Sequence, residues 1–329
     1  LSAVMLVVSS LMLLVVIVYA IGQQAEESRY AAFNPVYLVL AAGVSASFIT
    51  GDLFNLFVAF EMMLVASYVL LTLGGRPDQV RAGMSYVVIS LVASTFFVTA
   101  LAVIYSATGT VNMAQLAERM PQLPTGVATG FSLLLILVFG IKAGLFPLFF
   151  WLPDSYPTAS GAITAVFAGL LTKVGVYAII RTQTLLFPPD ARQGTLLLVL
   201  AGLTMIVGVL GALAQDDLRR MLSFHIVSHI GYMIFGLALF TLAGVAGAVF
   251  YVVHHIIVKT ALFLVAGLVL RRSGSDRLSK VGGLARSAPM IAVLFALPAL
   301  SIAGLPPFSG FVGKFALVSA GIESADWWI

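Results

Sequence analysis

Apolar runs long enough to cross a lipid bilayer dominate this chain. Of its 329 residues, 61% are hydrophobic and only 9% are charged, whereas a soluble domain carries about 25% charged residues. About 20 apolar residues span the hydrocarbon core as a helix, so the sequence predicts an all-α polytopic membrane protein with about ten transmembrane helices. We expect the helices at residues 1–21, 35–50, 53–73, 84–105, 130–153, 158–181, 196–214, 224–240, 244–270 and 289–322.

Two of these runs contain prolines that a straight helix does not accommodate. Pro147 interrupts the fifth run, and Pro306 and Pro307 interrupt the last, so we predict two broken helices. Broken helices at membrane depth recur at transport sites. Each follows four helices after a comparable starting point, which predicts two five-helix repeats of inverted orientation. The expected divisions are an N-terminal helix and loop at 1–34, a first repeat at 35–181 and a second, truncated repeat at 196–329.

The basic residues of the loops predict the orientation. Numbered from the first connection, the odd loops hold ten Arg and Lys residues, beginning with Arg29, and the even loops hold three. Basic residues accumulate on the cytoplasmic side of membrane proteins, so the odd loops are expected to be cytoplasmic. The chain starts at Leu1 and stops at Ile329 beside apolar segments, so we expect an internal portion of a longer subunit.

Five charged residues lie within the apolar runs. Each costs ~2.5–3.5 kcal/mol at the centre of a membrane helix, so five together cost on the order of 12–17 kcal/mol. Such a cost favours a functional reason, and intramembrane ionisable groups mark ion or proton pathways. The five residues are Glu61, Lys142, Lys173, Lys259 and Lys314.

Two structural alternatives remain for these residues. Glu61 in an ion pair with one lysine would stabilise the helices without transport. Lys142 in a snorkelling conformation would reach water, although it lies about eleven residues from either end of its run. A purely structural subunit that only holds partner subunits together is another possible function, and the energetic cost of burying five charges disfavours it.

Four histidines lie in the last three predicted helices. His254 and His255 precede Lys259, and His255 shares one helical face with Lys259. Because no carboxylate or further histidine lies near to complete a metal shell, we predict a proton relay and no metal site. His225 and His229 are four residues apart, and structural and relay roles remain equally open for them.

Several other functions lack the residues they require. The chain has no cysteine, which excludes thiolate-ligated clusters and disulfides. It contains neither a GxGxxG fingerprint nor a P-loop. The net charge of +4 comes from loop residues and the four membrane lysines, which leaves no basic stripe for nucleic acid. We therefore expect no cofactor and no nucleic-acid partner.

Four motifs together resemble a known family. They are Gly-Ile-Lys142-Ala-Gly-Leu-Phe-Pro, Leu-Leu-Thr-Lys173-Val-Gly-Val-Tyr, His255-x-x-x-Lys259 and Leu-Pro-Pro-Phe-Ser-Gly-Phe-Val-Gly-Lys314-Phe. Their order and spacing are similar to the proton-conducting antiporter module shared by respiratory complex I, membrane-bound hydrogenases and Mrp-type Na⁺/H⁺ antiporters. Asn-Leu-Phe-Val-Ala-Phe-Glu61 and Thr108-Gly-Thr-Val-Asn-Met-Ala look most like the D-type subunit of Mrp antiporters. Lys314 agrees with this likeness, because the complex I subunit usually considered closest carries a glutamate at this position. The other complex I modules carry a lysine there, so this residue alone does not decide between the two.

The resemblance implies a fold and a path. The family fold has fourteen helices, so this chain would lack about two at each end. Glu61 and Lys142 would pair in a first half-channel, and Lys173 would link it to the centre. His255 and Lys259, with Lys314, would serve the second half-channel, and the position of His254 varies in the family.

These observations predict a proton-translocating subunit of a multisubunit Na⁺/H⁺ antiporter in the bacterial inner membrane, and not an enzyme. Its expected partners are subunits of the Mrp A, B, C, E, F and G types, with Na⁺, H⁺ and lipid. The alternative is an antiporter-like subunit of a redox-driven proton pump of the complex I or hydrogenase type. Glu61 alone is too little to coordinate Na⁺, so the sequence does not locate a cation site.

Overall fold

The computed structural model describes residues 1–23 and 30–324, and helices account for most of them. Arg29 and Ile329 lie outside these ranges. Among the described residues, eight helical segments are long and apolar enough to cross a membrane, and shorter apolar helices at Phe33–Ile49 and Pro289–Ala303 stand at the other two predicted spans. The helices are α1 Ser2–Gly22, α2 Phe33–Ile49, α3 Leu53–Thr72, α4 Pro77–Thr108, α5 Met113–Arg119, α6 Thr125–Ala143, α7 Trp151–Ser155, α8 Gly161–Val166, α9 Thr172–Leu185, α10 Gly194–Leu213, α11 Leu218–Ala238, α12 Leu242–Ser273, α13 Leu284–Ser287, α14 Pro289–Ala303 and α15 Ser309–Glu323.

Both predicted breaks are present, and each begins at a glycine in the left-handed conformation that ends the preceding helix. Gly144, at φ 79°, ends α6, and its N–H donates to Gly140 O at 3.0 Å. Gly304, at φ 90°, ends α14, and its N–H donates to Ser301 O at 3.0 Å. Glycine adopts this left-handed conformation without a Cβ clash. The chain then continues as the short α7 after the first break and as α15 after the second.

Two isolated β-bridges tie corresponding loops together. One joins Asp52 to Asn112 and the other joins Asp217 to Arg277, and each residue of the second bridge follows its counterpart by the same number of positions. Asp52 and Asp217 also cap the helices that follow them, α3 and α11, through their side chains. This agreement supports the predicted division into two repeats, whose bounds we still propose as 35–181 and 196–329.

One helix lies at the centre of the bundle. It runs from Gly161 to Leu185 through α8, a π-helical turn at Phe167–Leu171 and α9, and 94% of its spanning window is buried. By contrast, 33% of the window is buried in α1 and in α10, which direct leucine and valine side chains outward. This central helix packs against α12 and α11 as well as α6.

The loop that precedes α13 is fastened by Asp216. The Ser279 hydroxyl donates to this carboxylate at 2.7 Å and the Ser279 backbone N–H donates at 2.9 Å. These two hydrogen bonds, with smaller contributions from Arg277 and Lys280, lower the pKa of Asp216. Because the folded pKa is depressed, the loop is stabilised above the unfolded pKa of ~3.9 and loses that stabilisation as pH falls through the folded pKa.

We expect Ser279→Ala to move the acid release of this loop to higher pH, toward ~3.9. Hydrogen exchange of the segment 275–280, corrected for the intrinsic pH dependence of exchange, measures the midpoint. Ser287→Ala is the matched control, since its hydroxyl donates to Gly283 O and contacts no carboxylate. Equal midpoints in the two variants would contradict the assignment.

Candidate functional site

Glu61 is held between two helices of the first repeat. It lies near the middle of α3, and the Ser94 hydroxyl of α4 donates to its carboxylate. Glu61 is half-buried and Ser94 is buried. The Ser94 hydroxyl thus supplies a hydrogen-bond donor to a carboxylate that is partly removed from water.

Lys142 lies in the last turn of α6, immediately before the first break. Its side chain borders a cavity of about 30 Å³ that Tyr86, Ser90 and Trp151 also line. A cavity of this size holds about two water molecules. Gly175 of α9 packs against the backbone of Lys142 and Ala143, where an added Cβ would lie 2.6 Å from Ala143 N.

The expected pairing of Glu61 with Lys142 is not a direct salt bridge. Among the described residues, the ion pairs within 4.0 Å are Arg76–Asp78, Arg219–Asp276 and Arg220–Asp154, all at helix ends. The pairing of Glu61 with Lys142 in a first half-channel therefore stays a prediction. Glu61 is engaged by Ser94, while Lys142 faces the cavity between α4, α6 and α9.

Lys173 lies in the interior of the bundle, as predicted. Its side chain is fully buried in the first turn of α9. The ammonium donates to Ala168 O in the preceding π-helical turn and to Thr172 Oγ1 at 3.1 Å. Such turns occur frequently at functional sites because they expose backbone groups and redirect side chains.

Lys259 and His255 are both fully buried on α12. The Lys259 ammonium donates to Leu222 O of α11 at 3.2 Å. Neither ring nitrogen of His255 has a hydrogen-bond partner within the described part of the chain. Its ring centroid lies 5.3 Å from that of His229.

His229 joins α11 to α12. Its Nδ1 lies 2.5 Å from the Tyr251 hydroxyl, and its ring lies 6.1 Å from that of His225. His254 instead contacts the second broken helix, with its Nδ1 2.9 Å from Ser309 Oγ. The four histidines thus lie on α11 and α12, and ring contacts join His225, His229 and His255.

Lys314 of α15 reaches back across the second break to the end of α14. Its ammonium donates to Ala303 O, at the end of α14, at 3.0 Å and lies 5.3 Å from the centroid of the Tyr232 ring. A cavity of about 260 Å³ is bordered by Lys314, His225, His229 and Leu222. Leu222, whose backbone oxygen accepts from Lys259, thus lies at the border of the cavity that Lys314 also lines.

Sequence reasoning missed three polar side chains of this site. Ser94, Tyr232 and Tyr251 carry no charge, so they have no large cost of burial that would single them out. Tyr251 had one usable signal, since it precedes His255 and Lys259 at successive four-residue intervals on α12. The described residues contain no group of three or more potential metal-binding acidic, histidine or cysteine side chains.

These features define a polytopic helical membrane protein with buried ionisable side chains beside two broken helices. A sequence model of the family described as "NADH:quinone oxidoreductase/Mrp antiporter, TM" matches residues 50–329. The chain belongs to this family.

Curated relatives and solved structures agree with this assignment. Two proteins named as the D-type subunit of a Na⁺/H⁺ antiporter, from Alkalihalophilus pseudofirmus and Bacillus subtilis, are 49% and 43% identical over 99% and 94% of this chain. The chain spans 66% and 63% of their respective lengths. The Mrp complex from Dietzia sp. DQ12-45-1b contains a similar chain with a TM-score of 0.94 and 40% identity, covering 99% of this chain and 61% of that one.

A redox complex also contains a similar chain. The structure is described as the membrane-bound sulfane sulfur reductase, an archaeal respiratory membrane complex. The TM-score is 0.91 and the identity 29%, over 99% of this chain and 68% of that chain. The fold therefore serves complexes of more than one kind, and the identities are higher with the antiporter subunits.

Proposed function

We propose that this chain is the proton-translocating part of a subunit of a multisubunit Na⁺/H⁺ antiporter in a bacterial cell membrane. The series of ionisable side chains within the membrane helices, with cavities beside Lys142 and Lys314, carries the proposal. The names of the relatives at 43–49% identity support Na⁺ as the exchanged cation. Its partners would be the other subunits of such a complex, of the Mrp A, B, C, E, F and G types.

The proposed relay runs through six residues. A proton moves by hopping between groups that alternately accept and release it, with water between groups that do not touch. His254, His225 and His229 are possible further members, since His229 contacts Tyr251 and His254 contacts Ser309. The six residues are Glu61, Lys142, Lys173, His255, Lys259 and Lys314.

Everted vesicles from cells that express this chain with its neighbouring genes test the proposal. A proton gradient is established, and its collapse on addition of NaCl is followed with a pH-sensitive dye. We expect collapse with the unmodified complex and little collapse with Glu61→Gln or Lys142→Ala, since each removes one proton carrier.

The control for these vesicles is Lys280→Met, which removes an exposed lysine from the loop between α12 and α13. It is expected to behave as the unmodified complex. If Lys142→Ala assembles and still exchanges Na⁺ for H⁺ at the normal rate, the relay is wrong. If the unmodified, assembled complex shows no response to Na⁺, the redox-driven pump suggested by the respiratory reductase becomes the better assignment.

A further inference from the structure

Two cavities of very different size meet at one side chain. The larger, which we call the vestibule, has a volume of about 1090 Å³ and is bordered by Arg81, Ser85, Asp154 and Arg220 near the odd-loop ends of the helices. The smaller is the cavity of about 30 Å³ beside Lys142. Trp151 lines both cavities, and its side chain therefore forms part of the wall between them.

The vestibule is an open cavity that combines charged residues with apolar side chains, among them Met84, Val88 and Phe150. The residues that border it include two arginines and two aspartates, so their formal charges balance. Asp154 and Arg220 form an exposed ion pair at 2.9 Å, and Arg81 and Ser85 are exposed. Its position beside the odd loops places it on the side predicted to be cytoplasmic.

Trp151 is fixed in the wall by directional contacts. Its indole N–H donates to Ile141 O, in the residue before Lys142, at 3.1 Å. Its ring centroid lies 5.4 Å from that of Tyr86 and 5.7 Å from that of Tyr156. Trp151 begins α7, so this single side chain ties the segment after the first break to the helix before it.

An indole in this position stops proton transfer. The indole nitrogen donates one hydrogen bond and has no lone pair to accept a proton, so it is not a relay group. Displacement of the ring would break the bond to Ile141 O and would open the wall between the vestibule and the Lys142 cavity.

We propose that Trp151 is the gate between the vestibule and Lys142. With the ring displaced, a hydronium ion in the vestibule transfers its proton through the admitted water to the neutral amine of Lys142, which leaves water and a lysine ammonium. With the ring in place, the ammonium is separated from the vestibule and its proton moves onward along the relay. The inference rests on the proposed function for its direction of transport, but the existence of the gate is testable without Na⁺.

Thiol labelling tests the gate directly, because the chain contains no cysteine. Ser90→Cys places one thiol in the Lys142 cavity, and Ser85→Cys places one in the vestibule. A small water-soluble thiol reagent is applied to the odd-loop side of the assembled complex. We expect rapid reaction at position 85 with or without Trp151→Ala, and at position 90 at least about tenfold faster reaction with Trp151→Ala.

Proton leakage gives a second readout. Vesicles with Trp151→Ala should lose a proton gradient faster than unmodified vesicles in the absence of Na⁺, and adding Lys142→Met should remove the extra leak. Trp151→Phe, which restores an aromatic ring but not the N–H, should leak less than Trp151→Ala.

Three results would overturn the gate. They are equal labelling at position 90 in an assembled complex with and without Trp151, no labelling at position 85, and a leak that Lys142→Met does not remove. Loss of Na⁺ response with normal gating in the labelling assay would instead overturn the proposed function alone.

Discussion

Replacing Lys173 or Lys259 with methionine is expected to lower Na⁺-dependent proton exchange at least about tenfold while leaving the complex assembled. Both lysines are fully buried inside the bundle, and each is a single step of the proposed relay. Methionine has a similar volume and carries no charge, so the substitution removes the cost of burying a charged group. Loss of activity would therefore report the missing proton carrier and not a missing fold.

The measurement compares initial rates of gradient collapse per amount of assembled complex, with Lys280→Met as the matched control on the surface. The thermal stability of each purified complex in detergent separates function from folding. A Lys173→Met complex with normal stability and normal exchange would remove Lys173 from the relay. Reduced stability together with reduced exchange would point to a structural role for the ammonium at Ala168 O.

Gly169→Ala is expected to destabilise the protein by about 1–3 kcal/mol, the usual cost of overpacking a well-packed core. Gly169 lies in the π-helical turn where the central helix crosses α12. A Cβ at this position would overlap Thr260 Oγ1, while Ile256 O and Thr260 Cβ would be at 3.6 Å, an ordinary contact distance. The clash thus comes from the Thr260 hydroxyl oxygen alone, which a Thr260→Ala substitution removes.

The double variant Gly169→Ala, Thr260→Ala is therefore expected to recover most of the lost stability. Thermal unfolding in detergent gives the comparison, and Gly202→Ala is the control, since a Cβ there would meet nothing within 4 Å. Failure of Thr260→Ala to rescue Gly169→Ala would show that backbone atoms, and not the threonine hydroxyl, limit the crossing of the two helices. Gly175 allows no such rescue because its neighbours are backbone atoms.

The spanning helices were predictable because hydropathy alone defines them. Their ends were less so, as α4 and α12 each have 32 residues and extend beyond the predicted 84–105 and 244–270. Polar residues at the ends of a membrane helix continue its backbone hydrogen bonds outside the apolar core, and hydropathy does not register them. The prolines predicted both breaks, but the glycines at 144 and 304 set where α6 and α14 end.

The charged members of the site were predictable because burying them in a membrane is costly. Their contacts were not. Ser94 donates a hydrogen bond to Glu61, and Trp151 lies between the Lys142 cavity and the vestibule. Neither residue differs in hydropathy or spacing from many others in the chain. Which neutral side chain meets which charge depends on the rotation and crossing of helices far apart in sequence.

The contacts of the central helix cross the proposed division of the chain. In sequence it lies on the first-repeat side of the expected division, but in space it contacts α11 and α12 of the second. Because tightly packed interiors resist compression, a tilt of this helix would displace the residues around both Lys173 and Lys259. The proposed division at residues 181–196 therefore separates the chain in sequence but not in its packing, because the helix of Lys173 lies directly against that of Lys259.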